Sequence, residues 1–231
     1  MRTLRERKFF FFFFFFLFSL AGGAEAHRPV AIGKELKNHD FSSARVLKDP
    51  DVSQVLYAEL KNPGQVDFLS FAGKEGERIT VQMGVPEIPR LLKFRPAVAL
   101  IGPGLPPSSE KIPFFLPAGM GAKVLHFLPG DKVVFFEPFT RTSSWRSPTL
   151  KVTLSNDAKY YLAAFAPKGG RGKYWLAIGE KEEFGPGDWL RMPRTIWQVR
   201  RFHEIESWKD AMAALLFLLL GLLLYRIWLR R

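Results

Sequence analysis

The chain has 231 residues and no cysteine, which excludes disulfide bonds, thiol catalysis and cysteine-type zinc sites. Its formal net charge is +12. Subtracting +2 for residues 1–26 and +3 for the basic residues of the C-terminus leaves about +7 for the part between, without a long block of like charge. Such a basic surface suits an anionic membrane or cell-surface polymer, and we expect no nucleic-acid partner.

The first 26 residues have the three parts of a secretory signal peptide. Four basic residues lie within MRTLRERK, an apolar run rich in phenylalanine follows, and the small-residue site Ala24-Glu25-Ala26 ends the segment. The apolar run is shorter than the roughly 20 residues that a membrane span needs. We therefore predict cleavage after Ala26 and a mature chain that begins at His27 outside the cytoplasm. An uncleaved anchor and a low-complexity tail are the alternatives.

Alternation of residues predicts strands through the middle of the chain. In VDFLSF and RITVQM, every second residue shares one face of the strand, at Asp67, Leu69, Phe71, Ile79, Val81 and Met83. The glycine-containing loop AGKEGE between the two runs predicts that they form a hairpin.

Further strands are predicted in PAVALIGPG, on both sides of Pro129-Gly130-Asp131, and on both sides of Ser155-Asn156-Asp157. The last strand lies in KYWLAI, where Tyr174, Leu176 and Ile178 face one way. Prolines crowd the segment from Glu87 to Gly121 and predict long surface loops around one strand there. About seven to nine short strands indicate a mainly β fold, an antiparallel β-sandwich or jelly roll over residues 27–187.

Two stretches resemble the bacterial pre-peptidase C-terminal domain. GQVDFLSFAGKEGERITVQM is similar to its G-x-x-D-x-[FY]-x-F strand and the strand that follows, with Asp67 as the acidic residue. GGRGKYWLAIG is similar to its closing G-x-Y-x-L hairpin, at Gly172, Tyr174 and Leu176. The resemblance implies a β-sandwich and a non-catalytic accessory domain. Because fold likeness does not carry activity, it implies no specific ligand.

The loop EPFTRTSSW is the densest cluster of polar and aromatic residues. A sugar or peptide could stack on Trp145 while Glu137 and Arg141 fix its polar groups. The alternative is that Trp145 anchors this loop to the sandwich. The sequence lacks the G-x-S-x-G, H-E-x-x-H and P-loop motifs, so we expect a protein that is not an enzyme.

A copper site is a second candidate. If His27 is the mature N-terminus, its α-amine and imidazole form a chelate that His39 or His126 could complete for Cu(II). The alternative is a frayed terminus without metal. Apart from this site, no cofactor is expected.

The C-terminal part is expected to hold the chain at a membrane. Residues 188–210 form an amphipathic juxtamembrane segment, helical from Pro193 onward, whose Trp197 and Trp208 suit the headgroup layer. Packing of this helix on the sandwich is the alternative, and the segment could do both. Residues 211–229 predict a transmembrane helix, and the basic residues at its end place a tail of residues 230–231 in the cytoplasm.

Three functions are open at this point. The first is a single-pass, membrane-anchored extracytoplasmic binding module without catalysis, whose partners are the bilayer and another membrane or cell-surface protein or a glycan. The second is a metal-binding domain that uses His27. The third is a cell-surface hydrolase whose site residues the sequence does not identify.

Overall fold

A computed structural model describes residues 28–33, 38–127, 134–183 and 185–206, and eight residues beyond them at 208, 212, 215, 216, 219–221 and 226. The predicted signal peptide and His27 lie outside the described residues. Twelve strands occur in the described part: β1 (Arg28–Ile32), β2 (Arg45–Val46), β3 (Gln54–Leu60), β4 (Val66–Gly73), β5 (Arg78–Pro86), β6 (Ala97–Gly102), β7 (Gly121–Leu125), β8 (Val134–Glu137), β9 (Thr142–Arg146), β10 (Leu150–Thr153), β11 (Ala158–Phe165) and β12 (Gly172–Ile178). A 3-10 helix spans Pro89–Leu91, and helix α1 spans Pro186–Phe202.

The strands form two sheets packed face to face. The first sheet has the order β1-β3-β12-β5-β9-β8, with β10 also paired to β5, and the second has the order β2-β4-β11-β6-β7. The predicted mainly β sandwich is therefore confirmed. The predicted purely antiparallel pairing is wrong, because β1 runs parallel to β3 and β2 runs parallel to β4. Side-chain alternation marks a strand but does not encode the direction of its neighbour.

The predicted hairpin of β4 and β5 does not form. Phe71 on β4 pairs with Tyr160 on β11, in the second sheet, whereas Val81 on β5 pairs with Ile178 on β12, in the first. The AGKEGE loop thus carries the chain from one sheet to the other. Both strands have an apolar inner face. Because the two strands lie in sheets that face each other across the core, both of these faces are buried.

The predicted inward faces are confirmed. Leu69 and Phe71, the alternate residues of β5, and Tyr174, Leu176 and Ile178 of β12 all belong to one buried cluster between the sheets. The outer face of the second sheet forms another apolar cluster, which the proline-rich loops after β6 cover with Ile112, Phe114, Leu116 and Met120. The prediction of long loops around a single strand between residues 87 and 121 is therefore also confirmed.

A buried hydrogen bond joins the two sheets. The Tyr174 hydroxyl on β12 donates to Asp67 Oδ2 on β4 over 2.8 Å, and Gln65 Nε2 donates to Asp67 Oδ1 over 2.8 Å. Only 1% of the Asp67 side chain is exposed, and its burial raises the pKa of the carboxyl group above the usual range. A buried carboxylate is costly unless it is hydrogen-bonded, so these donors keep Asp67 in the core.

Helix α1 begins seven residues before the predicted start at Pro193. Pro186 occupies the first turn, where its missing N–H costs nothing, and the Asp188 carboxylate accepts the Gly185 backbone N–H over 3.1 Å. Pro193 consequently lies inside the helix. Its side chain is exposed to solvent, and it has no N–H to donate to the preceding turn of the helix.

The predicted span over residues 211–229 lies mostly outside the described residues. Along the part of the chain that the structure describes, no helix is both long enough and apolar enough to cross a bilayer. The described residues of this segment include the exposed side chains of Met212, Leu215, Leu216, Leu219 and Leu220.

The Tyr174–Asp67 bond leads to the first prediction. Replacement of Tyr174 by Phe removes one donor from a buried carboxylate, so we expect a loss of about 1–3 kcal/mol in the free energy of unfolding at pH 7. Urea denaturation measures the loss. Tyr161→Phe, on the outer face of the second sheet, is the control and should change stability by less than about 0.5 kcal/mol. Equal losses in the two variants would contradict the role of this bond.

Candidate ligand-binding groove

A groove lies beside helix α1 on the outer face of the first sheet. We call it the helix groove. It has a volume of about 560 Å³ and lies between helix α1, strand β1, residues 45–54 and residues 137–140. This size is within the range of small-molecule and cofactor sites.

The C-terminal half of α1 is fastened to the sheet. Val199, Phe202 and His203 are buried beneath it, and the Phe202 ring lies 5.3 Å from that of Tyr57 on β3. Lys173 Nζ on β12 donates to the Phe202 carbonyl over 2.9 Å, and Arg200 Nη1 donates to the Thr140 carbonyl over 3.1 Å. These contacts confirm that the segment packs on the sandwich.

A chain of hydrogen bonds runs from the sheet into this helix. Trp175 Nε1–H donates to Ser144 Oγ over 3.0 Å, and the Ser144 hydroxyl lies 3.2 Å from His203 Nε2. His203 Nδ1 lies 2.9 Å from the Val199 carbonyl, which can only accept. Nδ1 therefore carries the proton and Nε2 accepts from Ser144, which is the pattern of a neutral imidazole. Gly84 makes room for this arrangement, because a Cβ there would lie 2.0 Å from the Trp175 ring.

Burial lowers the pKa of His203 to about 4, and the positive charge of Lys173 acts in the same direction. The imidazole is thus neutral at pH 7, as its hydrogen bonds require. Protonation would place a charge in a site where the Ser144 hydroxyl already donates to Nε2. The attachment of α1 therefore depends on the neutral form.

The N-terminal half of α1 lies over the groove. Asp188, Arg191, Met192 and Thr195 line the groove from this side. Among the described side chains of this half, Asp188 forms an ion pair with Arg28: Arg28 Nε lies 3.5 Å from Asp188 Oδ1, and half of the Arg28 side chain is exposed. Exposed ion pairs contribute little stability.

The groove presents both charges and an aromatic floor. Its lining contains four basic side chains and four carboxylates, at Arg28, Arg45, Lys48, Arg191, Asp49, Glu137, Glu183 and Asp188. Tyr57 lies among them, and burial, followed by the negative charge of Glu137, raises the pKa of its hydroxyl. The groove can therefore bind a ligand that carries both charges and an apolar part.

The three predicted ligand residues do not form one site. Glu137 lines the groove, but its carboxylate accepts the backbone N–H groups of Phe139 and Thr140 and so shapes its own loop. Arg141 is exposed and adopts a left-handed φ of 55° in this turn. Trp145 is buried in the core between the sheets, with the Arg95 guanidinium 4.9 Å above its ring. Because the Trp145 ring is buried, it is not accessible for the predicted stacking of a ligand, and its burial on β9 agrees with the alternative that it anchors this segment to the sandwich.

The described histidines lie in separate places. His39 Nδ1 is 3.2 Å from Asp67 Oδ1. The His39 side chain also lines a second groove of about 400 Å³, together with the exposed Trp197. His126 pairs with Glu110 instead. Within the described ranges, no three residues of metal-binding type come together. His27 lies outside those ranges, so copper binding at the mature N-terminus stays a prediction.

The Ser144–His203 pair was not found from the sequence, which placed His203 in the juxtamembrane segment. A serine beside a histidine is also the arrangement of a nucleophile and its base. Here both side chains are buried, and the serine oxygen accepts the Trp175 N–H while the second imidazole nitrogen faces a backbone carbonyl. The pair therefore fastens the helix. No sequence pattern joins Ser144 to a residue 59 positions away.

No protein-family model matches this chain. No protein of established annotation is similar to it in sequence either. Among solved structures, it is similar to PliG of Aeromonas hydrophila, a periplasmic inhibitor of g-type lysozyme, with 13% identity, coverage of 67% of this chain and 98% of that one, and a TM-score of 0.31.

Two further solved structures are similar. The pre-peptidase C-terminal domain of collagenase from Bacillus anthracis has 10% identity, coverage of 68% of this chain and 99% of that one, and a TM-score of 0.30. CorA of Methylomicrobium album BG8, a surface-associated copper-binding protein, has 8% identity, coverage of 66% and 100%, and a TM-score of 0.35. The first of these two is a pre-peptidase C-terminal domain, the family that the strand motifs of this sequence resemble. With identities of 13% or less and TM-scores below 0.5, these likenesses carry no conclusion about this chain.

The pKa of His203 leads to a prediction of pH dependence. Because this pKa is lower in the folded protein than the ordinary 6.5, its contribution to stability is complete above pH 6.5 and is lost as the pH falls towards 4. We expect His203→Gln to remove roughly 3 kcal/mol of the stability loss between pH 7 and pH 4. Urea denaturation at both pH values measures it.

The control is Gln198→Asn on the same helix, which should keep the pH dependence of the wild type. Hydrogen exchange locates the effect, because residues 197–203 should lose protection on acidification before β12 does. An unchanged pH dependence in His203→Gln would contradict this account of the helix attachment.

Proposed function

We propose that this chain is a membrane-anchored extracytoplasmic binding module without catalytic activity, and that its ligand binds in the helix groove. The observation that carries the proposal is the groove itself. It combines both charges with the aromatic floor of Tyr57, and one wall is helix α1, whose C-terminal half is fastened to the sheet. Binding residues are commonly placed on segments that a rigid scaffold positions.

The anchoring rests on the two ends of the sequence. The signal-peptide pattern over residues 1–26 directs the chain out of the cytoplasm, and the apolar segment over residues 211–229 would hold it at the membrane. The basic residues Arg226, Arg230 and Arg231 follow that segment and favour a cytoplasmic C-terminus.

Protease accessibility tests the proposed topology. Protease added to right-side-out membranes should digest residues 27–206 and leave a small fragment held in the bilayer, because the folded part lies outside. Permeabilised membranes serve as the control for protease activity. Protection of the full-length chain in intact membranes, with digestion only after permeabilisation, would contradict this orientation.

A groove-filling substitution tests the binding site. The full chain in nanodiscs is first screened against peptide and glycan panels. For any ligand found, Thr195→Trp should weaken binding by roughly tenfold or more, because the half-buried Thr195 lines the groove. The matched control is Arg194→Trp, which adds the same ring at the neighbouring exposed position and should leave the affinity unchanged. Equal effects of both substitutions would place the ligand elsewhere.

A further inference from the structure

Three loops that are distant in sequence meet at one end of the sandwich. Leu60, at the end of β3, pairs with Gly172 at the start of β12. In the second sheet, Phe165 at the end of β11 pairs with the first residue of β4 and with that of β6. The loops 61–65, 87–96 and 166–171 therefore emerge at the same end. We call them together the basic end.

The three loops contact each other. A Cβ at Gly169 would lie 4.0 Å from the Pro63 side chain, and one at Gly170 would lie 3.3 Å from the ring of Phe94. Phe94 and Leu91 are buried against Gly172, which holds the loop that contains the 3-10 helix on the end of the sheets. The basic end is thus one continuous surface rather than three separate loops.

This surface carries an excess of positive charge. Its three loops contain one acidic side chain, the exposed Glu87, and five exposed basic side chains, at Lys61, Arg90, Lys93, Lys168 and Arg171. Between Arg90 and Lys93, the side chain of Leu92 is 51% exposed. An exposed aliphatic side chain among cations is the composition of surfaces that bind the interface of an anionic bilayer.

The chain leaves the sandwich at this end. Glu204 follows helix α1 with a left-handed φ of 60°, accepts Lys173 Nζ over 2.8 Å and pairs with Arg90 of the basic end. The residues that follow include the exposed apolar side chains of Trp208 and Met212. Glu204 therefore lies beside the basic end, four residues before Trp208 along the chain.

We propose that the basic end rests on the anionic headgroup layer of the bilayer that holds the C-terminal segment. This inference rests on the anchoring part of the proposed function. A cationic surface near an anionic bilayer is attracted within about a Debye length, roughly 10 Å at moderate salt. Because the chain already tethers the sandwich there, even a weak attraction suffices to orient it. The helix groove is then held in a fixed position relative to the membrane.

Single-cysteine labelling tests the contact, since the natural chain has no cysteine. An environment-sensitive fluorophore is attached at Lys93→Cys in the basic end or, as matched control, at Lys74→Cys. Lys74 is equally exposed but follows β4 at the opposite end of the sandwich. The full chain is placed in phosphatidylcholine nanodiscs with or without phosphatidylglycerol, both doped with headgroup-nitroxide lipid.

We expect the label at position 93 to be quenched severalfold more than the label at position 74 in the anionic discs. The difference should shrink in neutral discs and at high salt. Equal quenching at both positions in chains that copurify with the discs would overturn the headgroup contact while leaving the anchoring intact. Failure of the chain to copurify with any disc would overturn both, so the two failures are distinguishable.

Charge reversal gives a second measurement. Three of the five basic residues of the basic end are changed together, as Lys93→Glu, Lys168→Glu and Arg171→Glu. The chain that carries these changes is labelled at Asn62→Cys. Quenching at position 62 should fall to the value in neutral discs. The matched control reverses three exposed lysines away from this end, at Lys74, Lys123 and Lys159, and should keep the quenching. If the label is instead quenched only by a nitroxide-labelled soluble polyanion, a polymer is the partner and the membrane proposal is overturned.

Discussion

The hydrogen bond from Tyr174 to Asp67 is the interaction on which the rest of this structure depends. It joins the two sheets through a buried carboxylate, and a buried carboxylate tolerates few changes in the position of its donors. It thereby sets how β12 lies over β4. Because side chains alternate along a strand, fixing Tyr174 inward also fixes Lys173 and Trp175 outward.

Those outward residues are the ones that hold helix α1. Lys173 donates to the carbonyl at the end of the helix, and the Trp175 indole supports the serine that donates to His203. A single strand thus connects the core of the sandwich with the wall of the helix groove.

The predicted strands, their inward faces and the long proline-rich loops could be obtained from the sequence, because alternation and proline restrictions are local properties. The same holds for the signal-peptide pattern and the apolar segment over residues 211–229, which depend on composition over a short window. Strands β1, β2, β3 and β9 were not predicted. The edge strands β1 and β2 are short, the mostly buried β3 has no strict alternation of apolar and polar residues, and β9 lies in a segment that was predicted as a loop. The start of α1 was placed too late because Pro193 resembled a first-turn proline as much as Pro186 does.

Only the tertiary structure decided which strands pair, and therefore which residues come together in the helix groove and at the basic end. A short loop joins two strands equally well within one sheet or across the core, so the sequence did not reveal that β4 and β5 lie in different sheets. From the sequence, Trp145 was placed in a loop. In the structure it lies on β9, which pairs with both β5 and β8, and its side chain is buried. The His203 attachment and the basic end likewise join residues far apart in sequence, and such contacts depend on chain topology, which no local pattern records.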